Sequence, residues 1–283
     1  MIYELEPKYF KRCDRLLYDK GPLEIRAIIE GNNPGRVFVD DLNSPRSALV
    51  WQGNLDGFGL IGDPHHTVFN RELNDFIDNQ IAREVRKLRL AWFEGFGHHP
   101  AWDGTMAALF AHRGVEVCKQ NVYVPQPEQS RTIGEAALEK LPLEELFVKE
   151  PYRLVKLSPE LLASTELING SLVISNILQN WSTLEHFFKL GMGYCVLRQN
   201  EIATLCYSGF VAGKTHSINI ETAEAHRGNK LAQIAARAFV RQCLEEDKIA
   251  YWDCSDDNHP SNAVALKMGL TLKCRYNVFC FRF

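Results

Sequence analysis

The sequence predicts a mixed α/β protein built as two halves, and three observations carry that prediction. The chain has 283 residues, enough for two ordinary domains. Short apolar runs with strand character alternate with longer stretches at helical spacing. Both halves also show a similar order of elements: helices, hairpin, strand, long helix, strand, helix, strand. A local match sharpens the repeat. Trp92 precedes His99-Pro100 by seven positions, as Trp252 precedes His259-Pro260. Ancient duplication and the coincidence of one tryptophan and one dipeptide are the two accounts of that match.

In the first half, residues 9–19 and 23–30 read as helical. Residues 37–39 and 48–51 read as strands around the turn Asn43-Ser44-Pro45, and 58–61 as a third strand. The spacing of Leu73, Phe76, Ile77, Ile81 and Val85 predicts a helix over 72–87. Residues 88–93 read as a buried strand, 106–112 as a helix and 115–124 as a strand. The polar, turn-rich stretch 126–147 is the expected linker, with a short helix near 135–139. It separates an N-terminal α/β domain over 1–125 from a C-terminal domain over 148–283.

The second half opens with a strand over 152–157. Ser158-Pro159 then caps a helix, with proline in the first turn. A helix over 182–190 stops at Gly191. Strands follow over 194–198, 201–207 and 216–222, with Gln199-Asn200 as the tight turn between the first two. Leu231, Ile234, Ala235, Ala238, Phe239 and Cys243 share one stripe, which predicts a helix over 231–244. A strand over 249–254, a helix over 261–267 ending at Gly269, and one or two strands over 272–283 complete the chain.

Composition narrows the function classes. An apolar share of 46% and a charged share of 24% are those of a soluble globular protein. The net charge of −3 provides no basic field for nucleic acid. No run approaches the roughly 18 apolar residues that span a bilayer. Glu4 and Glu6 near the start, with no apolar region behind them, argue against a signal peptide, so the expectation is a cytoplasmic protein. The eight cysteines are scattered with no CxxC pair, which reads as small buried residues in a reducing compartment rather than a disulfide framework. Without a secretion signal, the sequons at Asn169 and Asn180 read as chance.

The informative stretch is Ser217-Ile-Asn-Ile-Glu-Thr-Ala-Glu-Ala-His-Arg-Gly-Asn-Lys-Leu-Ala232. A strand ends, a short polar loop carries Arg227 and Gly228, and a long helix begins at once. A helix N-terminus presents unpaired N–H groups and a partial positive charge. Gly228 permits close approach of the backbone, and Arg227 and Lys230 add full charges. A diphosphate suits such a place; a solvated helix start with ordinary basic residues is the competing reading. Strand alternation puts Ser217, Asn219 and Glu221 on one face and Ile218 and Ile220 on the other.

Arg227-Gly228-Asn229-Lys230-Leu231-Ala232 resembles the acetyl-CoA loop of the GNAT superfamily, Arg/Gln-x-x-Gly-x-Gly/Ala between a strand and a helix. Lys230 replaces the usual second glycine. Downstream, Asn258-His-Pro-Ser261 and Ala265-Leu-Lys267-Met-Gly269-Leu270 resemble the family's Asn-x-x-Ala/Ser and Tyr-x-Lys-x-Gly-Phe. Within the superfamily the chain looks most similar to the zwittermicin A resistance-type acetyltransferases. That likeness rests on Val37-Phe-Val39-Asp40-Asp41, Ser44-Pro45-Arg-Ser-Ala-Leu49, Ile220-Glu-Thr222, Arg227-Gly228 and Trp252-Asp-Cys254.

The resemblance implies a C-terminal GNAT (acyl-CoA N-acyltransferase) fold, preceded by a half that is itself a degenerate GNAT-like repeat if the duplication is real. It implies acetyl-CoA as cosubstrate and a primary amine of a small molecule as acceptor. The backbone of Ile220, Glu221 and Thr222 would pair with the pantetheine arm. Arg227 and the backbone of Gly228, Asn229, Lys230, Leu231 and Ala232 would hold the pyrophosphate. Asn258, supported by Ser261, would reach the cofactor from the far side. Glu221 is the candidate general base, directly or through water, with a plain surface carboxylate as the alternative. The tyrosine that serves the family as general acid falls at Ala265 and is absent; Cys254, Tyr251 and Tyr207 are the remaining acids to weigh.

Other signals are weaker. Gly57-Phe-Gly59-Leu-Ile-Gly62 fits GxGxxG, but Asp63-Pro64-His65-His66 follows and no helix is expected to open there. His65-His66 and His98-His99 read as turn or cleft histidines rather than a metal site, with Asp103 the best available partner. Trp92, Phe93, Phe96 and Trp102 read as core and cleft wall. Glu221, Asp253, Asp256 and Asp257 would suit a cationic acceptor or form a solvated loop. The alternatives to a small-molecule enzyme are a non-catalytic acyl-CoA sensor and a protein or peptide N-acetyltransferase. The acceptor's identity and the oligomeric state are not legible.

Overall fold

The computed structural model describes residues 1–126 and 150–283. The chain forms two compact units, Met1–Gln120 with Arg275–Phe283, and Asn121–Cys274. The expected linker and its short helix lie outside the described residues, Gln126 excepted.

The first unit holds β1 (Tyr3–Leu5), a 3₁₀ segment Pro7–Leu16, α1 (Leu23–Ile29), β2 (Arg36–Val39), β3 (Ser47–Trp51) and β4 (Gly57–Gly62). Then come α2 (Thr67–Phe76), α3 (Ala82–Lys87), β5 (Trp92–Gly97) and α4 (Trp102–Phe110). Its strands lie in the order β1-β2-β3-β4-β5, and the last residues of β12 (Thr271–Arg282) pair antiparallel with β5. β4 and β5 run parallel, whereas the β1–β2, β2–β3 and β3–β4 pairs are antiparallel.

Several elements differ from the sequence reading: β1 is additional, the helix expected over 9–19 is the 3₁₀ segment Pro7–Leu16, and α4 opens at Trp102 rather than 106. The helix expected over 72–87 opens at Thr67, and a π segment, Ile77–Ile81, joins α2 to α3. Phe69, Leu73, Ile77, Ile81 and Val85 are all buried. A strict four-residue repeat outruns the 3.6-residue α-helix, and the wider π turn returns the stripe to one face. The strand expected over 88–93 lies instead at Trp92–Gly97. Leu88 closes α3, Arg89 takes a left-handed φ of 59°, and Leu88 and Trp92 are exposed. Gly95 and Gly97 weaken the strand signal of the true β5. Its core is an aromatic ladder: Phe58 on Phe93 and Phe93 on Phe281, each pair stacked with centroids 4.6 Å apart.

The second unit holds the end of β6 (Glu116–Val124), then β7 (Tyr152–Lys156), α5 (Pro159–Ala163), α6 (Gly170–Asn180) and α7 (Leu184–Leu190). Next are β8 (Gly193–Arg198), β9 (Glu201–Ala212), β10 (Thr215–Thr222), α8 (Leu231–Glu245), β11 (Ile249–Ser255) and α9 (His259–Lys267). Its strand order is β7-β8-β9-β10-β11-β6. The cap at Ser158 forms, its side chain accepting from the Leu161 N–H at 3.2 Å, and Thr183 caps α7 in the same way. Gln199 turns the β8–β9 hairpin with a φ of 54°.

Alternation along the strands sorts side chains into two layers. Val196, Cys206 and Ile218 pack with Ala235 and Phe239 of α8 and Ala265 of α9. Cys195, Leu205 and Tyr207 pack on the other face with Val173 and Ile177 of α6 and Phe187 of α7. Helix α6 is absent from the sequence reading, although Val173 and Ile177 sit one turn apart on its buried side.

Each unit buries a neutral histidine. Burial, with Arg26 and His99 adding repulsion, depresses His98 to about 4. Burial, with Lys248 nearby, depresses His216 to about 4. The unfolded chain takes up these protons near pH 6.5 and the native state only near 4. Stability is therefore lost as pH falls through that window, by on the order of 3 kcal/mol per histidine. In urea titrations between pH 7 and 4, His216→Gln is expected to show a shallower loss of stability than the wild type. An equal slope would mean that His216 does not carry this effect.

Candidate functional site

The site is built on β10 of the second unit. Against β9 the register shifts between His216 and Ile218, so Gly209 and Phe210 stand opposite the single Ser217. This is a β-bulge with its extra residue on β9; a bulge bends the strand that carries it and increases the local twist. The Phe210 N–H displaced by the bulge donates to Ser217 Oγ at 2.7 Å. On its other edge β10 pairs in parallel with β11 only over Thr215, His216 and Ser217. Beyond Ser217, β10 stays bonded to β9 as far as Thr222 while β11 parts from it. A wedge opens with its apex at Ser217 and Tyr251, and the backbone from Ile218 to Thr222 forms one wall.

At the open end of the wedge lies the loop. Gly228 has a φ of +82°, and no heavy atom lies within 4 Å of where its Cβ would stand. Lys230 takes the left-handed conformation too, with a φ of 58°. It is the residue before α8, whose first turn has no side-chain cap. Among the described residues no side chain thus caps that helix start, whose leading N–H groups are the kind that bind an anion. Arg227 Nε donates to the Thr222 carbonyl at 3.3 Å, and Asn229 Nδ2 to the carbonyls of His226 and Arg227. Of the residues singled out in the sequence, Ile220, Thr222, Arg227, Gly228, Asn229, Lys230, Leu231 and Ala232 thus run on from the β10 wall through the loop into α8, with the Leu231 side chain buried in the α8 layer.

Glu221 is exposed, and Asn176 Nδ2 of α6 donates to its carboxylate at 3.2 Å. Two residues nearer the apex, Asn219 Nδ2 donates to Tyr207 Oη at 2.9 Å, and Tyr207 Oη lies 2.9 Å from Asn180 Oδ1. Polar groups thus line the α6 face of β10, while Ile218 and Ile220 join the α8 layer. Asn258 and Ser261 have structural duties. Asn258 Oδ1 caps α9 by accepting from the Ser261 N–H at 3.2 Å, and Ser261 Oγ accepts from Trp252 Nε1 at 3.0 Å.

Sequence reasoning missed Asn176, Asn180, Asn121 and Asn262. Asn262 Nδ2 bonds the Ser255 and Asn258 carbonyls, while its Oδ1 accepts from Asn121 Nδ2 and Tyr123 Oη. Only the apolar periodicity of α6 could have pointed to the first two. Asn121 and Asn262 carry no local signal.

The candidate acids are constrained. Burial pushes the Tyr207 hydroxyl and the Cys254 thiol above their ordinary ranges, and Ala265 is fully buried. Asp256 accepts from Asn121, and Asp257 from Ser255. Five of the eight cysteines are buried and all are free.

In the first unit a helix does open after the glycine run, at Thr67. The glycines themselves serve packing: a Cβ would strike Gln52 at Gly57, Ile25 at Gly59 and the Arg46 carbonyl at Gly62. His66 Nδ1 lies 3.6 Å from Asp40, His98 accepts from the Tyr18 N–H, and Asp103 pairs with Asn277. Among the described residues no three histidines, cysteines or carboxylates come together as a metal site, and no helix is long and apolar enough to cross a membrane.

Known proteins place this geometry. The profile of the GNAT acetyltransferase family matches residues 15–279. The uncharacterized N-acetyltransferase YdfB of Bacillus subtilis strain 168 is 23% identical over 280 residues, spanning 99% of this chain and 98% of that protein. A GCN5-related N-acetyltransferase-like protein from Streptococcus suis shares the fold with a TM-score of 0.66 and 21% identity, over 97% of this chain and 99% of the other. A tandem GNAT protein from the clavulanic acid biosynthesis pathway has a TM-score of 0.59 and 13% identity, over 100% and 98%. A family profile across nearly the whole length, an N-acetyltransferase relative spanning both units and a two-unit fold like that of a tandem GNAT protein agree: the chain belongs to the GNAT acetyltransferase family and is a transferase.

Proposed function

We propose that the second unit binds acetyl-CoA and transfers its acetyl group to a primary amine of a small molecule. The observation that carries this reading is the wedge between β10 and β11, which ends on an uncapped helix start flanked by Arg227 and Lys230. The diphosphate lies on the N–H groups of residues 228–232, and the pantetheine arm runs along residues 220–222 toward the apex. The amine nitrogen attacks the thioester carbonyl, and Glu221 takes the amine proton directly or through water. The carbon–sulfur bond breaks and CoA leaves as thiolate. Ala265 favours a second reading: with no hydroxyl at that place, the unit would bind acyl-CoA as a sensor without turnover.

Calorimetry separates the possibilities. Wild type is expected to bind acetyl-CoA with micromolar affinity, and the double variant Arg227→Ala with Gly228→Trp is expected to lose it. A folded wild type that binds nothing would sink the acetyl-CoA reading.

If the unit is an enzyme, Glu221→Gln lowers turnover on a responsive amine by about 100-fold while acetyl-CoA affinity is kept. Activity within twofold of wild type would remove Glu221 as the base. Binding without release of free CoA across small amines and peptides would favour the sensor.

Lys230 carries backbone strain, because a side chain in the left-handed region costs roughly 1–2 kcal/mol that glycine avoids. Lys230→Gly is expected to raise unfolding stability in urea by about 0.5–1 kcal/mol after glycine's greater chain entropy is counted. Lys230→Ala keeps the strain and is expected to gain nothing.

A further inference from the structure

We propose that His226 is the positioning residue of the anion loop, fixing where Arg227 to Lys230 stand through a clamp formed by Tyr152 and Glu201. The inference rests on the reading that this loop receives the diphosphate of acetyl-CoA. Among residues 224–230, His226 is the one buried side chain; the others are exposed. It sits at the end of the 3₁₀ turn Glu224–His226, directly before Arg227.

Both ring nitrogens have partners. Nδ1 lies 3.1 Å from Tyr152 Oη, at the start of β7, and Nε2 lies 3.5 Å from the Glu201 carboxylate, at the start of β9. In the tautomer with its proton on Nε2, the ring accepts from the tyrosine hydroxyl at Nδ1 and faces the Glu201 carboxylate at ion-pair distance with Nε2. The Tyr152 ring also stands edge-on to the imidazole, with centroids 5.7 Å apart.

The backbone joins the same clamp. The His226 N–H donates to the Ala223 carbonyl at 2.8 Å, and the Ala223 N–H to the Ala203 carbonyl at 2.9 Å, prolonging the β9–β10 ladder by one step. The His226 carbonyl accepts from Asn229 Nδ2 at 3.1 Å, inside the loop. The ring is therefore held by two strands while the carbonyl holds the loop. A loop bound to the sheet through one inserted side chain takes its position from that side chain. Positioning matters here because backbone N–H groups must stand within hydrogen-bond distance of a diphosphate before it arrives.

The test measures acetyl-CoA affinity by calorimetry on the full chain, with melting temperature followed alongside. Glu201 is partly exposed and Tyr152→Phe keeps the ring, so neither change threatens folding. Tyr152→Phe and Glu201→Ala are each expected to weaken acetyl-CoA binding about 3–10-fold, the worth of one hydrogen bond, with the melting temperature unchanged. Glu201→Gln, which keeps an oxygen facing Nε2, is expected to restore affinity to within twofold of wild type. In a His226→Phe background, Tyr152→Phe is expected to add no further loss, because the tyrosine acts through the histidine. Wild-type binding with unchanged affinity in Tyr152→Phe and Glu201→Ala would overturn the clamp and leave the acetyl-CoA reading intact. A wild type that does not bind acetyl-CoA would overturn both.

Discussion

The two-against-one register of Gly209 and Phe210 opposite Ser217 is the constraint on which the site depends. A regular parallel pair would carry β10 and β11 side by side to their ends, with every N–H and C=O between them bonded and no edge left for a ligand. The extra residue sits on β9, and the bulge twists the β9–β10 pair at the point where β10's pairing with β11 ceases. A bulge leaves a backbone group unpaired inside the sheet, and here Ser217 Oγ satisfies it. The flank is braced as well. Ser208 Oγ accepts from the Met192 N–H and contacts His216, and the Ser208 carbonyl accepts from Trp181 Nε1 at 2.7 Å. These buried polar bonds hold the flank of the wedge in one geometry.

The first unit shows what the same order of elements becomes without that device. Its β3–β4 pairs keep one constant register from Ser47↔Gly62 to Trp51↔Phe58. Its parallel seam is bonded from Gly57↔Glu94 to Leu60↔Gly97, and the His98 N–H closes it on the Leu60 carbonyl at 2.9 Å. The turn that follows holds Asp63-Pro64-His65-His66 in place of Arg227-Gly228. A proline donates no N–H, and the carboxylate of Asp63 would repel an anion. Aromatic packing of Phe58, Phe93 and Phe281 fills the sheet face instead. Two units that share a topology thus differ where one register shift and one loop decide whether a ligand has an edge to bind.

How much was legible in the sequence follows from the range of the forces involved. Caps, turns and stripes are local, so Ser158, Gly191 and the stripe of α8 are readable from neighbours in the chain. The loop at Arg227 is readable for the same reason: strand end, glycine and helix start are contiguous. Strand β5 was displaced because its glycines suit a close-packed seam and not an apolar pattern. The bulge was invisible, since it arises from Ser217 meeting two residues of another strand. The asparagines of α6 and the node at Asn262 depend on pairings across 27 to 141 positions of sequence, which no local pattern encodes.

The absence of a tyrosine at Ala265 bears on how the proposed transfer would end. Tyr207 is the hydroxyl nearest Asn219, but its oxygen already accepts from Asn219 and its proton is directed to Asn180 or the Asn176 carbonyl. Burial raises its pKa further, and a weaker acid held by other acceptors does not protonate a departing group. Cys254 belongs to the α8 and α9 layer and is likewise raised. The leaving group, however, is a thiolate. Thiols lose their protons near pH 8.5, far below alcohols, so a thiolate departs near neutrality with little help from an acid. Removing the proton from an ammonium acceptor is then the step that needs a base. In the proposed reaction that base is Glu221, four residues from Ser217, and its carboxylate accepts from Asn176 Nδ2. The proton it gains is available to the thiolate once the carbon–sulfur bond has broken, so one carboxylate would serve both transfers.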